Sequence, residues 1–300
     1  MTAAAGQPVA NTASRPLGGG RRLPLDWLGA VPFLGYVGVF LLLPTGIVVV
    51  GAFFSNNGPT LANIRDLTQP FIVTSLINSL VLSTVTALLG AIAGALMAYA
   101  LATGNPNGAL RRLVSSACGV LAQFGGVILA FAFIATIGLG GFVTVFLLDH
   151  GIDIYPNGVW LYTLSGLMLV YMYFQIPLMV LVITPALSGL RPSWREAAQN
   201  MGASSWRYWR HVGIPVLLPS ILGGMLLLFG SSFAAYATAE ALTGGIIALA
   251  PIQIGDLVNG NVISGQQNLG YAIGFGMLVV LAVTMILYGL VRRRASKWLR

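Results

Sequence analysis

Charge is what this sequence has least of. Only 7% of its 300 residues are charged, where a soluble domain carries about a quarter. Too little polar surface remains to cover a water-soluble globule, so lipid must be the solvent for much of the chain. A single cysteine, Cys118, excludes an internal disulfide. It sits in an apolar run and reads as a buried, inert thiol rather than a reactive one. The two histidines, His150 and His211, fall in separate loops and cannot share a metal. No Walker loop, nucleophile elbow or metal-ligand spacing occurs. No catalytic residue, metal or cofactor is therefore assigned, and the chain is not expected to be an enzyme. The net charge of +8 would suit a nucleic-acid binder. The basic residues, however, lie in short clusters between apolar runs and not on one face, which argues against nucleic acid.

Long apolar runs are what the chain does have. A helix needs roughly 20 mostly apolar residues to cross the hydrocarbon core. Six segments reach that length, at about 29–54, 75–103, 114–147, 158–188, 217–245 and 269–291. The third is longer than a crossing needs, and Gly138, Gly140 and Gly141 are expected to end or break its helix. The expected fold is all-α, a polytopic membrane protein with six transmembrane helices. Residues 1–24 hold no apolar core and read as a disordered cytoplasmic tail, not a secretory signal. Residues 25–71 hold the first helix and an outer loop, 72–291 the remaining five spans, and 292–300 a basic tail.

The arginines set the direction. Arg15, Arg21 and Arg22 precede the first span, and Arg111 and Arg112 lie between the second and third. Arg191, Arg195, Arg207 and Arg210 lie between the fourth and fifth. Arg292, Arg293, Arg294, Lys297 and Arg300 follow the sixth. All fall on one side of a six-span chain, and only Arg65 falls on the other. The positive-inside rule makes the crowded side cytoplasmic, with both termini inside. Small residues run through the spans, among them Gly90 and Gly94 in the second and Gly223 and Gly224 in the fifth. They permit close backbone approach between helices in lipid.

The loop 189–217 is the longest on the basic side. Pro192-Ser193 signals a helix start, with Ser193 as cap and Glu196 three residues on, as in a capping box. A short helix from about Trp194 to Asn200 should follow, ended or bent at Gly202. A second, amphipathic stretch, Ser204 to Val212, suits the headgroup level with its aromatics and arginines. Pro215 and Pro219 should set the path into the fifth span.

The run Glu196-Ala197-Ala198, then Gly202, then Ile214-Pro215 resembles the EAA loop of type I ABC importer permeases at that family's spacing. The resemblance extends over roughly 72–290. It implies the importer permease fold in a bacterial inner membrane. It further implies that Glu196, Ala197, Ala198, Gly202 and Pro215 form or shape a coupling helix that docks on a cytoplasmic ATPase subunit. The plainer alternative is a loop helix that merely lies on the membrane. With one EAA loop the chain would supply half a translocation path. The implied partners are a second permease, homologous or identical, two ATPase subunits that bind the ATP and Mg, an extracytoplasmic substrate-binding protein, and membrane lipid.

The solute is less legible. Met201 stands before Gly202, where carbohydrate importers commonly place an aspartate. Gln175-Ile176-Pro177-Leu178 and Asn268-Leu269-Gly270-Tyr271-Ala272 resemble the polyamine, phosphonate and iron branch. Glu240 is the only acid inside an expected span. Counted along one helix from Leu217 it would lie roughly 34 Å on, near the outer end. A carboxylate there favours a cationic or amine-bearing solute, with Tyr236, Ser232 and Gln175 as further pathway candidates. The alternative is that Glu240 is solvated or pairs with a partner chain. A carbohydrate permease and a self-contained secondary transporter are the competing functions. The latter would more naturally show several buried charges or inverted repeats.

Overall fold

The computed structural model describes residues 26–55, 58–105, 108–156, 158–259 and 267–296. The tail expected over 1–24 and the last residues of the basic tail lie outside them. The chain divides into a unit ending at Gly46 and a main unit from Ile47 onward. Helices α1 (Asp26–Val37) and α2 (Leu43–Ala52) flank a π-helical turn at Gly38–Leu42. A two-residue ribbon pairs β1 (Phe54–Ser55) with β2 (Gly58–Pro59). There follow α3 (Ala62–Asp66), α4 (Pro70–Thr103), α5 (Ala109–Leu121), α6 (Gly126–Ile137) and α7 (Phe142–Asp149). The long α8 (Leu164–Ser188) leads into the short α9 (Pro192–Asn200) and α10 (Ser205–Tyr208). The chain ends with α11 (Ile214–Phe233), α12 (Ala237–Thr243), α13 (Ala250–Asn259) and α14 (Gln267–Ser296).

Six helical stretches are long and apolar enough to cross a membrane: Ala30–Ala52, Pro70–Thr103, Gly126–Asp149, Leu164–Ser188, Ser205–Phe233 and Gln267–Val291. The expected number and order of spans hold. Three boundaries do not. The third segment does break at Gly138, whose N–H closes on Ile134 O at 3.0 Å. It also breaks earlier, at Ala122–Gly125, leaving α5 as a helix of its own. Gly126 opens α6 in the left-handed region (φ +69°), a conformation that hydropathy does not register. The fifth span does not run to 245: α11 stops at Phe233, and α12 is a separate helix. Distance along one straight helix therefore does not place Glu240. Third, the fifth apolar stretch begins before 217, at Ser205. α10 and α11 are joined through a π-helical turn at Trp209–Gly213.

The centre is a packed trio of α4, α8 and α11. Ser79, Ser83, Ala87, Gly90, Ala91, Gly94 and Ala98 recur at helical spacing along one buried face of α4. Small side chains let helices in lipid approach closely. A methyl group at Gly94 would sit 2.5 Å from Met179 Cβ and 2.8 Å from Ile176 O of α8. One at Gly224 of α11 would sit 2.7 Å from Met179 Sδ. Met179 thus fills the notches of two neighbours at once, and is fully buried. Cys118 is buried in the same cluster. A second cluster joins Leu129 of α6, Leu167 and Tyr171 of α8, Ala239 of α12 and Ile252 of α13.

Candidate functional site

Two regions gather the residues singled out in the sequence. The first is the loop after α8. Proline occupies the first position of α9, where the missing N–H costs nothing. Arg191 is the N-cap and makes no side-chain capping hydrogen bond, so Ser193 does not cap and the expected capping box is absent. Starting at Pro192 places Ser193 inside the helix, two positions past the cap. The C-terminus closes as a Schellman motif. Ala203 N–H donates to Ala198 O at 2.9 Å and Gly202 N–H donates to Gln199 O at 2.9 Å, with Gly202 at φ +76°. Both bonds satisfy carbonyls that the helix end would leave open. The motif places Ala198 directly under Ala203, and Ala198 is buried while Glu196 and Ala197 stay exposed. α9 therefore shows an acidic and small-residue face to water and rests on Ala198.

Ser204 then caps α10, its Oγ accepting from Arg207 N–H at 3.3 Å. In the π-turn, Ile214 N–H reaches back five residues to Trp209 O. Pro215, with no N–H to give, comes next and stays exposed. Trp209 lies flat over Gly213, where a methyl group would meet its ring at 2.4 Å. It also meets Tyr99 of α4 edge-on, at 5.0 Å between centroids, and Tyr208 at 5.8 Å. The loop is thus fixed to α8 at one end and, through Trp209, to α4 and α11 at the other.

The second region is the middle of the bundle. Gln175, fully buried, donates through Nε2 to Thr86 Oγ1 at 2.9 Å. Thr86 Oγ1 donates to Leu82 O at 2.7 Å and lies 3.0 Å from Ser232 Oγ. With the threonine proton committed to Leu82, Ser232 is the donor to Thr86. Three helices are joined through one hydroxyl. Gln175 Oε1 lacks a hydrogen-bond partner. It faces Gly90, where a methyl group would come within 3.0 Å of it. Gln175 and Ser232 are buried between helices and tie the frame together. Thr86 escaped the sequence reading, although the spacing of Ser79, Ser83, Thr86 and Gly90 marked the face that carries it.

Beside this layer two helices are interrupted at one level. Phe124, in the break between α5 and α6, packs against Tyr173 of α8, 6.1 Å between centroids. Tyr171 Oη donates to Ala235 O, in the break between α11 and α12, at 3.0 Å. A methyl group on Gly126 would lie 3.9 Å from Ala237 Cβ, so the breaks adjoin. α6 starts without a side-chain cap, and its first-turn N–H groups have no intrahelical partner. Irregular backbone at membrane depth persists only where protein buries it or it lines a cavity. Tyr236 sits in one break, partly exposed, its ring against Gly255 of α13. Glu240 follows on α12, half-buried, and its Oε2 is buried without a hydrogen-bond partner.

Known proteins resemble this chain. A family model described as "Binding-protein-dependent transport system inner membrane component" matches residues 142–297. The spermidine/putrescine transport system permease protein PotB of Haemophilus influenzae is 26% identical over 153 residues, covering 51% of this chain and 52% of that protein. The sulfate transport system permease protein CysT of Escherichia coli is 31% identical over 85 residues, covering 28% of this chain and 31% of that protein. The chain thus spans about half the length of the first relative and a third of the second. A crystal structure of a bacterial ABC transporter involved in alginate import superposes with a TM-score of 0.70 at 18% identity, over 90% of this chain and 95% of that one. That likeness is one of fold, and the fold is that of an ABC importer permease.

Proposed function

Since the chain belongs to the binding-protein-dependent transport system inner membrane components, we propose that it forms half of the solute path of an ATP-driven importer. It takes its motion from cytoplasmic ATPase subunits through α9. The observation that carries this reading is the α9 end: a water-facing Glu196 and Ala197 on a helix stopped by Gly202 and tied to three long helices. A rigid handle of that kind passes a push from one side of the membrane into the bundle. Alternating access needs such rigid-body motion around a central path. The chain spans a bacterial inner membrane with both termini cytoplasmic. A second permease, two ATPase subunits holding ATP and Mg, and an extracytoplasmic binding protein complete the assembly. Nucleotide hydrolysis belongs to those partners, and this chain performs no chemistry of its own.

The paired breaks support a solute contact at mid-depth, with Glu240 and Tyr236 beside it and Gln175 and Ser232 holding its walls. Interrupted helices of this kind form solute sites in other transporters. A small charged solute fits: Glu240 suits amines, and the open α6 N-terminus suits anions. Polyamine, phosphonate and iron remain the favoured class over carbohydrate.

The test is reconstitution. The tagged chain should co-purify with an ATPase subunit, and liposomes holding the complex should import solute only with ATP. Glu196→Lys should abolish both uptake and ATPase retention while leaving the helical content intact. A chain that purifies alone and moves solute without ATP would make it a secondary transporter.

A further inference from the structure

An apolar groove of about 700 Å³ runs between α4, the end of α8 and the start of α11. Ala91 and Ala95 form its floor, and Leu88, Ile92 and Leu96 one wall. Ile214, Ile221 and Met225 form the other. The α4 wall is open, with Leu88, Ile92 and Leu96 exposed by 46%, 52% and 64%. One end differs in kind: Arg195 of α9, Ser205 and Trp206 of α10, and Trp209 close it off.

The dimensions match a lipid leaflet. From Leu88 to Tyr99, the α4 lining rises about 16 Å along the helix. That is half of the ~30 Å hydrocarbon core. Tryptophan and tyrosine then appear at the level of Arg195, as they do where lipid headgroups begin. Loop 189–217 carries four arginines, Arg191, Arg195, Arg207 and Arg210, against one acid, Glu196. An apolar channel as deep as one leaflet, ending in a cationic and hydroxyl-bearing rim, fits an acyl chain with an anionic head. A free phosphate would leave the channel empty, and a hydrophilic solute would find no partner along its walls.

We propose that this groove binds one anionic phospholipid of the leaflet on the loop side. The acyl chain lies between α4 and α11, and the headgroup meets Arg195 and Ser205. The groove geometry carries the site; its assignment to the cytoplasmic leaflet rests on the topology proposed above. A lipid held there touches the long helices with its tail and the loop with its head, and so steadies α9 in register with them.

Native mass spectrometry of the full chain in mild detergent tests this, with phosphatidylglycerol and phosphatidylcholine of equal acyl length as probes. One phosphatidylglycerol should be retained per chain, in preference to phosphatidylcholine. Arg195→Gln should cut that preference about fivefold, the share of one cation near anionic lipid. Leu96→Trp, at an exposed wall position, should fill the channel and displace both lipids while the protein stays folded. Equal retention of the two lipids would overturn the proposal, as would retention unchanged by Leu96→Trp. Protection of Leu96→Cys from labelling by a second copy of the chain in lipid-free complex would also overturn it. The two readings fail separately: a transporting protein that keeps no phosphatidylglycerol loses only the lipid site. A protein that keeps it but moves no solute loses only the importer function.

Discussion

Replacing Gly202 with alanine isolates a single term. A methyl group at Gly202 meets nothing within 4 Å, so the change removes no contact and creates no clash. What it does is force a side chain into the left-handed region at φ +76°. That costs roughly 1–2 kcal/mol for an L-residue, a factor of about 5–30 in the ratio of stopped to frayed helix. Released from the Schellman bonds, Ala198 and Ala203 lose their stacking, and α9 frays or runs on past Met201. In the reconstituted complex, solute-stimulated ATP hydrolysis should fall, by at most that factor, with basal hydrolysis by the ATPase subunits retained. Asparagine, which tolerates this conformation, should recover most of the loss, and valine should lose more than alanine. If alanine and valine both couple as well as glycine, the turn is not what sets the handle, and the mechanical reading of the loop fails.

Gly94→Ala should push α4 away from Met179 and Ile176 and cost roughly 1–3 kcal/mol by overpacking, read as a lower midpoint of thermal unfolding in detergent. Gly119→Ala, with nothing within 4 Å of the new methyl, is the matched control and should leave the midpoint unchanged or raise it. Thr86→Val should strand the donors of Gln175 and Ser232 and destabilise by roughly 1–2 kcal/mol, with Thr86→Ser restoring the loss in the same assay. Glu240→Gln should change the concentration dependence of uptake without changing co-purification of partners. Unaltered kinetics would make Glu240 a structural residue.

Much of the architecture was readable because lipid imposes simple rules. Span number and order follow from apolar length and from the one-sidedness of fourteen basic residues. The loop motif stood out because Gly202 sits where a short helix must stop. The helix breaks were hidden for a physical reason. Ala122–Gly125 and Ala234–Tyr236 hold one amide side chain, Gln123, and no charge, and what ends the helices there is backbone conformation, which hydropathy does not measure. The same blindness extended the fifth span past Phe233 and misplaced Glu240 along a helix that is not continuous. Ser193 looked like a cap because its spacing to Glu196 was right, but the preceding proline already began the helix. Gln175 and Ser232 were chosen for being polar in an apolar setting. The structure adds Thr86, the hydroxyl they share across helices.

The π-helical turn at Trp209–Gly213 amounts to one surplus residue in an otherwise regular rod. Each residue of an α-helix turns the chain by about 100°, and the wide turn absorbs that step, so the loop arm keeps its phase with everything beyond Ile214. Deleting a single residue there would leave composition, hydropathy and motif almost untouched. It would nonetheless tighten the turn to four-residue closure and unseat the Trp209 ring from Gly213, like a hinge whose pin has been filed away.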